Sequence, residues 1–147
     1  MRIFTRATIL CLLILSSYFS YSTAQILQFA SSFSQTGDMI GIASVFKYDA
    51  SGTKISCRFS NGAPIATDTL FVIVKSVNGI SGRYYMKRSK SKMNANALLK
   101  FHSDGIYRVY VYHPKQRQSP LATGKVYVTS NNYPTVSSLV EYQKKIL

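Results

Sequence analysis

Short runs of alternating apolar and polar residues extend from residue 25 to residue 129, with the period of a half-buried β-strand. Residues 53–59 show the alternation most clearly, because Ile55, Cys57 and Phe59 fall on one face while Lys54, Ser56 and Arg58 fall on the other. Gly, Asp, Asn and Pro separate the runs, as is typical of turns. The pattern predicts an all-β fold, an antiparallel β-sandwich of seven or eight strands.

Two runs indicate their own places in the sheet. Residues 70–74 are continuously apolar, which predicts an interior strand covered on both faces. Residues 83–87 contain Arg83 and Lys87, and such charges protect an edge strand from pairing with other chains. The other predicted strands cover residues 25–34, 39–48, 97–102, 106–112 and 122–129.

The first 24 residues have the three parts of a secretory signal peptide. Arg2 and Arg6 precede an apolar run over residues 9–15, and a stretch of small residues ends at Ala24. We expect cleavage after Ala24 and export to a periplasm or to the extracellular space. The alternative is an uncleaved membrane anchor. The apolar run argues against it, because the run is far shorter than the ~20 residues that span a bilayer.

Residues 130–147 follow a different period. Val136, Leu139 and Val140 recur at three- and four-residue steps, and Ser138 with Glu141 has the spacing of a capping box. This segment predicts a linker and a short C-terminal helix, which either covers an open end of the sandwich or binds a partner. The chain then divides into a signal peptide (1–24), a β-sandwich domain (25–129) and this tail (130–147).

Composition excludes several classes of protein. The chain has 147 residues, of which 46% are hydrophobic and 16% charged, so that it can bury a core and is not a disordered chain. Its 18 basic and 5 acidic residues give a formal net charge of +13. Removal of residues 1–24 takes away two Arg and leaves 16 basic and 5 acidic residues, or +11. The basic character therefore belongs to the domain itself.

Two segments resemble immunoglobulin-like domains. Residues 103–109, Ser-Asp-Gly-Ile-Tyr-Arg-Val, are similar to the Gly-x-Tyr-x-Cys segment of strand F, and residues 52–57 are similar to strand B. The resemblance implies that the Tyr107 hydroxyl bonds back to the backbone and that Cys57 occupies a core position. Val109 stands where the family has its second Cys, which implies a buried, unpaired Cys57; an intermolecular disulfide is the alternative. Such domains bind, bridge or space other modules.

Catalytic and metal-binding patterns are sparse. His102 and His113 are the two histidines, and Asp104 lies close to the first, yet no nucleophile motif accompanies them. One Cys in the mature chain, two His and five scattered acids offer no metal-ligand spacing. We therefore expect a protein that is not an enzyme and has neither a cofactor nor a metal. A small hydrolase that uses His102 or His113 is the alternative.

The most informative cluster is residues 83–92, which combine five cations with two tyrosines and contain no acid. The cations are Arg83, Lys87, Arg88, Lys90 and Lys92. Cations beside aromatic rings can bind a polyanion, whereas the same residues can also form a merely solvated strand and loop. Tyr110 and Tyr112 share a strand face, which indicates sheet packing or, if that face is exposed, a platform for sugar rings.

These features give two expectations for function. Because export argues against intracellular nucleic acid, we expect a binding module for an anionic envelope or extracellular polymer or a membrane surface, without specific nucleic-acid recognition. The alternative is an assembly protein that docks to an envelope protein through a sheet edge.

Overall fold

A computed structural model describes residues 25–130, and this part of the chain contains nine β-strands. The strands are β1 (Ile26–Phe33), β2 (Met39–Ile42), β3 (Val45–Lys47), β4 (Thr53–Ser60), β5 (Thr69–Ser76), β6 (Gly79–Arg88), β7 (Asn94–Phe101), β8 (Gly105–Tyr112) and β9 (Ala122–Thr129). The predicted all-β class is confirmed, with nine strands in place of seven or eight. The predicted signal peptide and C-terminal helix lie outside the described residues.

The nine strands form one curled sheet in the order β2-β1-β4-β7-β6-β5-β8-β9-β3. Neighbouring strands are antiparallel except for β3, which runs parallel to β9. β6 connects the two halves of the sheet, because it pairs with β5 along its length and with β7 only at Lys87–Asn96 and Arg88–Ala95. The halves β1-β4-β7 and β5-β8-β9 share one apolar core.

The core is built from the inward residues of each strand. On β4 these are Ile55, Cys57 and Phe59, all buried, which confirms the inward positions predicted within residues 53–59. Ser56, predicted to face outward, is only 1% exposed, because this small side chain lies between Ala30 and Leu98 on the neighbouring strands. The opposite half contributes Val109 and Val126, which are also fully buried. A large side chain such as Phe59 stabilises the fold by about 1.5–3 kcal/mol when it is removed from water.

The curled sheet brings β1 against β9 at Gly124. A Cβ atom placed on Gly124 would lie 2.6 Å from Cε2 of Phe29 and 3.1 Å from Cδ2 of Leu27, two residues of β1. Because glycine has no side chain, the aromatic ring of Phe29 can lie directly on the β9 backbone. Gly124 therefore permits the close approach of the two halves.

The prediction of a single strand over residues 39–48 is wrong. The chain forms β2 and then β3, with a break at Ala43 and Ser44. β2 pairs with β1, whereas β3 pairs with β9, so the segment crosses from one half of the sheet to the other. Ile40 and Ile42 lie on the edge strand β2 and are 52% and 59% exposed.

The strands β5 and β6 differ in how well they were predicted. β5 lies between β6 and β8, which confirms the interior position predicted for residues 70–74. The predicted cover on both faces is wrong, because one face of β5 points away from the core and Ile73 is only partly buried there. β6 is longer than the predicted strand 83–87 and is not a sheet edge, because its last two residues pair with β7. Within residues 25–130, the edges are β2 and β3. No helix in the described part is long and apolar enough to cross a membrane.

Candidate anion-binding surface

The surface of β6, β5, β8 and β9 that faces away from the core is here called the outer face. Met86 of β6 is buried in the core, so alternation directs Arg83, Tyr85 and Lys87 to the outer face. The strand register continues this face across the sheet, since Tyr85 lies opposite Phe71 and Phe71 lies opposite Tyr112. Residues far apart in the sequence therefore share one surface.

Aromatic rings form a cluster on the outer face. The ring centroids of Phe71 and Tyr85 are 5.4 Å apart, and those of Tyr110 and Tyr112 are 6.4 Å apart in a stacked arrangement. The Arg117 guanidinium carbon lies 4.1 Å from the Phe71 ring centroid. Phe71 is not part of the core, but these neighbouring side chains bury it on the outer face. Tyr85 is 62% exposed. The cluster combines ring faces with cations.

Four of the five predicted cations point to solvent. Arg83 and Lys87 lie exposed on the outer face, and Lys90 and Lys92 lie exposed in the loop between β6 and β7. Because all four side chains are exposed to solvent, each can contact an anion. They cover one end of the outer face and the loop beside it.

Arg88 is placed differently from its neighbours in the cluster. Its side chain is half-buried, forms an ion pair with Asp68 and donates from Nη1 to the carbonyl oxygen of Ile65 at 2.8 Å. The guanidinium thus ties the end of β6 to the segment before β5. The charge of Arg88 is directed at the protein's own loop, so Arg88 is not part of the solvent-facing patch.

A row of three cations on the outer face was not predicted from the sequence. Lys75 of β5 lies opposite Arg108 of β8, and Arg108 lies opposite Lys125 of β9. All three side chains are exposed. Their sequence separations hide this arrangement, which exists only because of the strand register. One indication of the row was present in the sequence, since each of the three cations stands in an otherwise apolar or aromatic strand.

The acids of the described part lie in loops and bond to nearby residues. They are Asp38, Asp49, Asp68 and Asp104. Asp38 accepts a hydrogen bond from Thr36 at 2.8 Å, and Asp104 accepts one from the backbone N–H of Ser130 at 3.0 Å. The backbone N–H and the hydroxyl of Ser51 bond to Asp49 and lower the pKa of its carboxyl. Among residues 25–130, 14 basic residues therefore outweigh four acids, all of which lie outside the strands of the outer face.

The three residues assigned structural roles by the resemblance lie in the interior. The Tyr107 hydroxyl donates to the carbonyl oxygen of Ser103 at 2.7 Å, and the Tyr107 ring packs edge-on against Phe101 with centroids 4.7 Å apart. Cys57 is a free, buried thiol whose pKa is raised by burial. Val109 is fully buried in the same core. A neutral thiol is a poor nucleophile, which indicates a packing role for Cys57.

The two histidines lie at opposite ends of β8. His102 precedes the strand and His113 follows it, a separation of about 25 Å along an eight-residue strand and its flanks. Nδ1 of His113 accepts a hydrogen bond from the backbone N–H of Lys115 at 3.2 Å. Within the described residues, neither histidine bonds to a carboxylate, and no group of three or more His, Cys, Asp or Glu side chains could hold a metal ion.

No protein-family description matches the chain, and no curated protein matches it. Among solved structures, the chain is similar to the CARDB domain of a Pyrococcus furiosus protein in complex with di-metal ions. The two share 13% identity with a TM-score of 0.37, over 74% of this chain and 97% of that domain.

Proposed function

We propose that residues 25–129 form an immunoglobulin-like β-sandwich. Support comes from the strand order, because β1-β4-β7 and β5-β8-β9 correspond to strands A-B-E and C-F-G of that fold, while β6 pairs chiefly with β5. The hydrogen bond from Tyr107 to Ser103 is the contact that a tyrosine corner makes. On this assignment, Val109 takes the place of the second core Cys and Cys57 that of the first.

We propose further that the protein is an exported, non-catalytic module that binds an anionic envelope or extracellular polymer. One observation carries this proposal: the outer face joins exposed cations to aromatic rings, and the acids of the described part lie elsewhere. A surface of one charge sign attracts polyanions at long range. The predicted signal peptide places the module where such polymers occur.

Salt-dependent retention on heparin tests the proposal. We expect the protein to bind immobilised heparin and to elute only when salt has screened the interaction, whose range falls to about 3 Å at 1 M ionic strength. Vesicles of anionic and of neutral phospholipid distinguish a polymer ligand from a membrane surface. Failure to bind heparin and anionic vesicles even at low ionic strength would refute the proposal.

A second candidate function is docking to an envelope protein through the sheet edge at β2. The four-residue strand β2 pairs on one side with β1 and exposes Ile40 and Ile42. Exposed backbone groups and apolar side chains on an edge strand suit the addition of a partner strand. A photo-crosslinking residue at position 42 that yields one defined adduct in native envelopes would favour this function; the absence of any adduct would argue against it.

A further inference from the structure

The three outer-face cations Lys75, Arg108 and Lys125 line one groove, here called the cation row. The groove has a volume of about 550 Å³, and its walls include Tyr110 and Tyr127. No acid lines it. The cation row is separate from the sequence-predicted cluster 83–92, which lies on β6 and the following loop.

The spacing of the cation row is set by the sheet. Adjacent strands lie about 4.8 Å apart, so the three backbone positions form a line perpendicular to β5, β8 and β9. Like charges directly opposite each other on neighbouring strands destabilise a sheet. The free protein therefore carries a repulsion that a bound line of anionic groups would remove.

The rings beside the cation row have little free face. The Lys75 ammonium nitrogen lies 5.3 Å from the Tyr110 ring centroid, and Tyr127 is only 7% exposed. The exposed ring of Tyr85 is opposite Phe71, four residues and about 13 Å along the strands from Lys75. Single-stranded nucleic acids need exposed ring faces on which their bases stack. The groove instead offers positive charges at regular intervals with phenol groups beside them.

We infer that the cation row binds an acidic glycan, whose successive sugar rings carry carboxylate or sulfate groups and whose hydroxyls meet the half-buried Tyr110 beside the row. The chain of the glycan crosses β5, β8 and β9 so that each cation meets one anionic group. This inference rests on the proposed anion-binding function and adds to it the ligand class and the residues that bind it.

The experiment compares two variants that lose the same charge. The first is K75Q/K125Q, which removes both lysines of the cation row; the matched control is K54Q/K100Q, which removes two exposed lysines that lie opposite each other on β4 and β7, away from the outer face. Binding of a labelled heparin oligosaccharide and of a single-stranded oligonucleotide of matched charge is followed by fluorescence anisotropy. Circular dichroism verifies that both variants are folded, and R108Q alone replaces the first variant if it is not.

We expect the first variant to bind heparin at least about tenfold more weakly than the wild type, and the control to change by less than about threefold. We also expect the wild type to bind heparin more tightly than the oligonucleotide. Equal losses in both variants, or a larger loss in the control, would overturn the assignment to the cation row. Equal or tighter binding of the oligonucleotide would overturn the ligand class. In each of these outcomes the wild type still binds an anion. If the proposed function itself were wrong, the wild type would bind neither heparin nor the oligonucleotide.

Discussion

The Tyr107 hydroxyl ties the beginning of β8 to the turn before it. Its bond to the Ser103 carbonyl joins residues four apart, while the ring is buried against Phe101. The resemblance of the segment around Gly105 to immunoglobulin-like domains implied this contact, because the corner tyrosine of that family bonds back to the backbone. Arg88 shows the opposite case. Its neighbours in sequence are cations, and only the fold shows that Asp68 lies beside it.

At the scale of single residues, we predict that Tyr107→Phe lowers the free energy of unfolding by about 1–2 kcal/mol, because the substitution removes two hydrogen bonds to Ser103 and keeps the packed ring. Urea denaturation measures the effect. Tyr110→Phe is the control, since it removes a hydroxyl from the outer face, and it should change stability by less than about 0.5 kcal/mol. Equal stability of Tyr107→Phe and the wild type would contradict a structural role for the hydroxyl.

A strand was predictable from the sequence where the whole apolar run stays in one half of the sheet. β4 alternates because one face meets the core. β5 is apolar on its outer face as well, where Phe71 packs against Tyr85 and Arg117. Residues 39–48 were not predictable in the same way, since their alternation is consistent with one strand although they pair with both halves of the sheet. The cation row was also hidden, because alternation gives the outward direction of Lys75, Arg108 and Lys125 but not their register.

At the scale of the sheet, we predict that Arg108→Gln stabilises the free protein by about 0.5 kcal/mol at low salt, because it removes the central charge of the cation row. Urea denaturation at about 0.01 M and about 1 M salt tests this, since screening lengths at these concentrations are roughly 30 Å and 3 Å. The gain should vanish at high salt. Lys47→Gln is the control, because Lys47 lies opposite Thr129 on β9.

If Arg108→Gln destabilises the protein at low salt, or if its effect is the same at both salt concentrations, repulsion within the cation row is not significant. A gain of the same size in Lys47→Gln would assign the effect to net charge alone. Either result would remove the physical reason for which a bound anion stabilises this part of the sheet.

The whole molecule has cations on both of its outer surfaces, but the surfaces differ in what accompanies the charge. On β4 and β7, Lys54 lies opposite Lys100 and points away from the core. On the outer face of β5, β8 and β9, three cations stand in a row beside tyrosines in a groove. Net charge alone would attract a polyanion to both surfaces equally. A specific site is distinguished from this general attraction because the bound polyanion contacts only the lysines of the outer face.

Acetylation of lysines in the presence and absence of a heparin oligosaccharide, read out by mass spectrometry, tests the account most directly. The wild-type chain serves for this measurement, and Lys54 and Lys100 are internal controls. We predict that bound heparin protects Lys75 and Lys125 at least about tenfold, while Lys54 and Lys100 keep their reactivity, since charge contacts act at short range in salt. Equal protection of all four lysines, or protection of Lys54 and Lys100 alone, would contradict binding at the outer face.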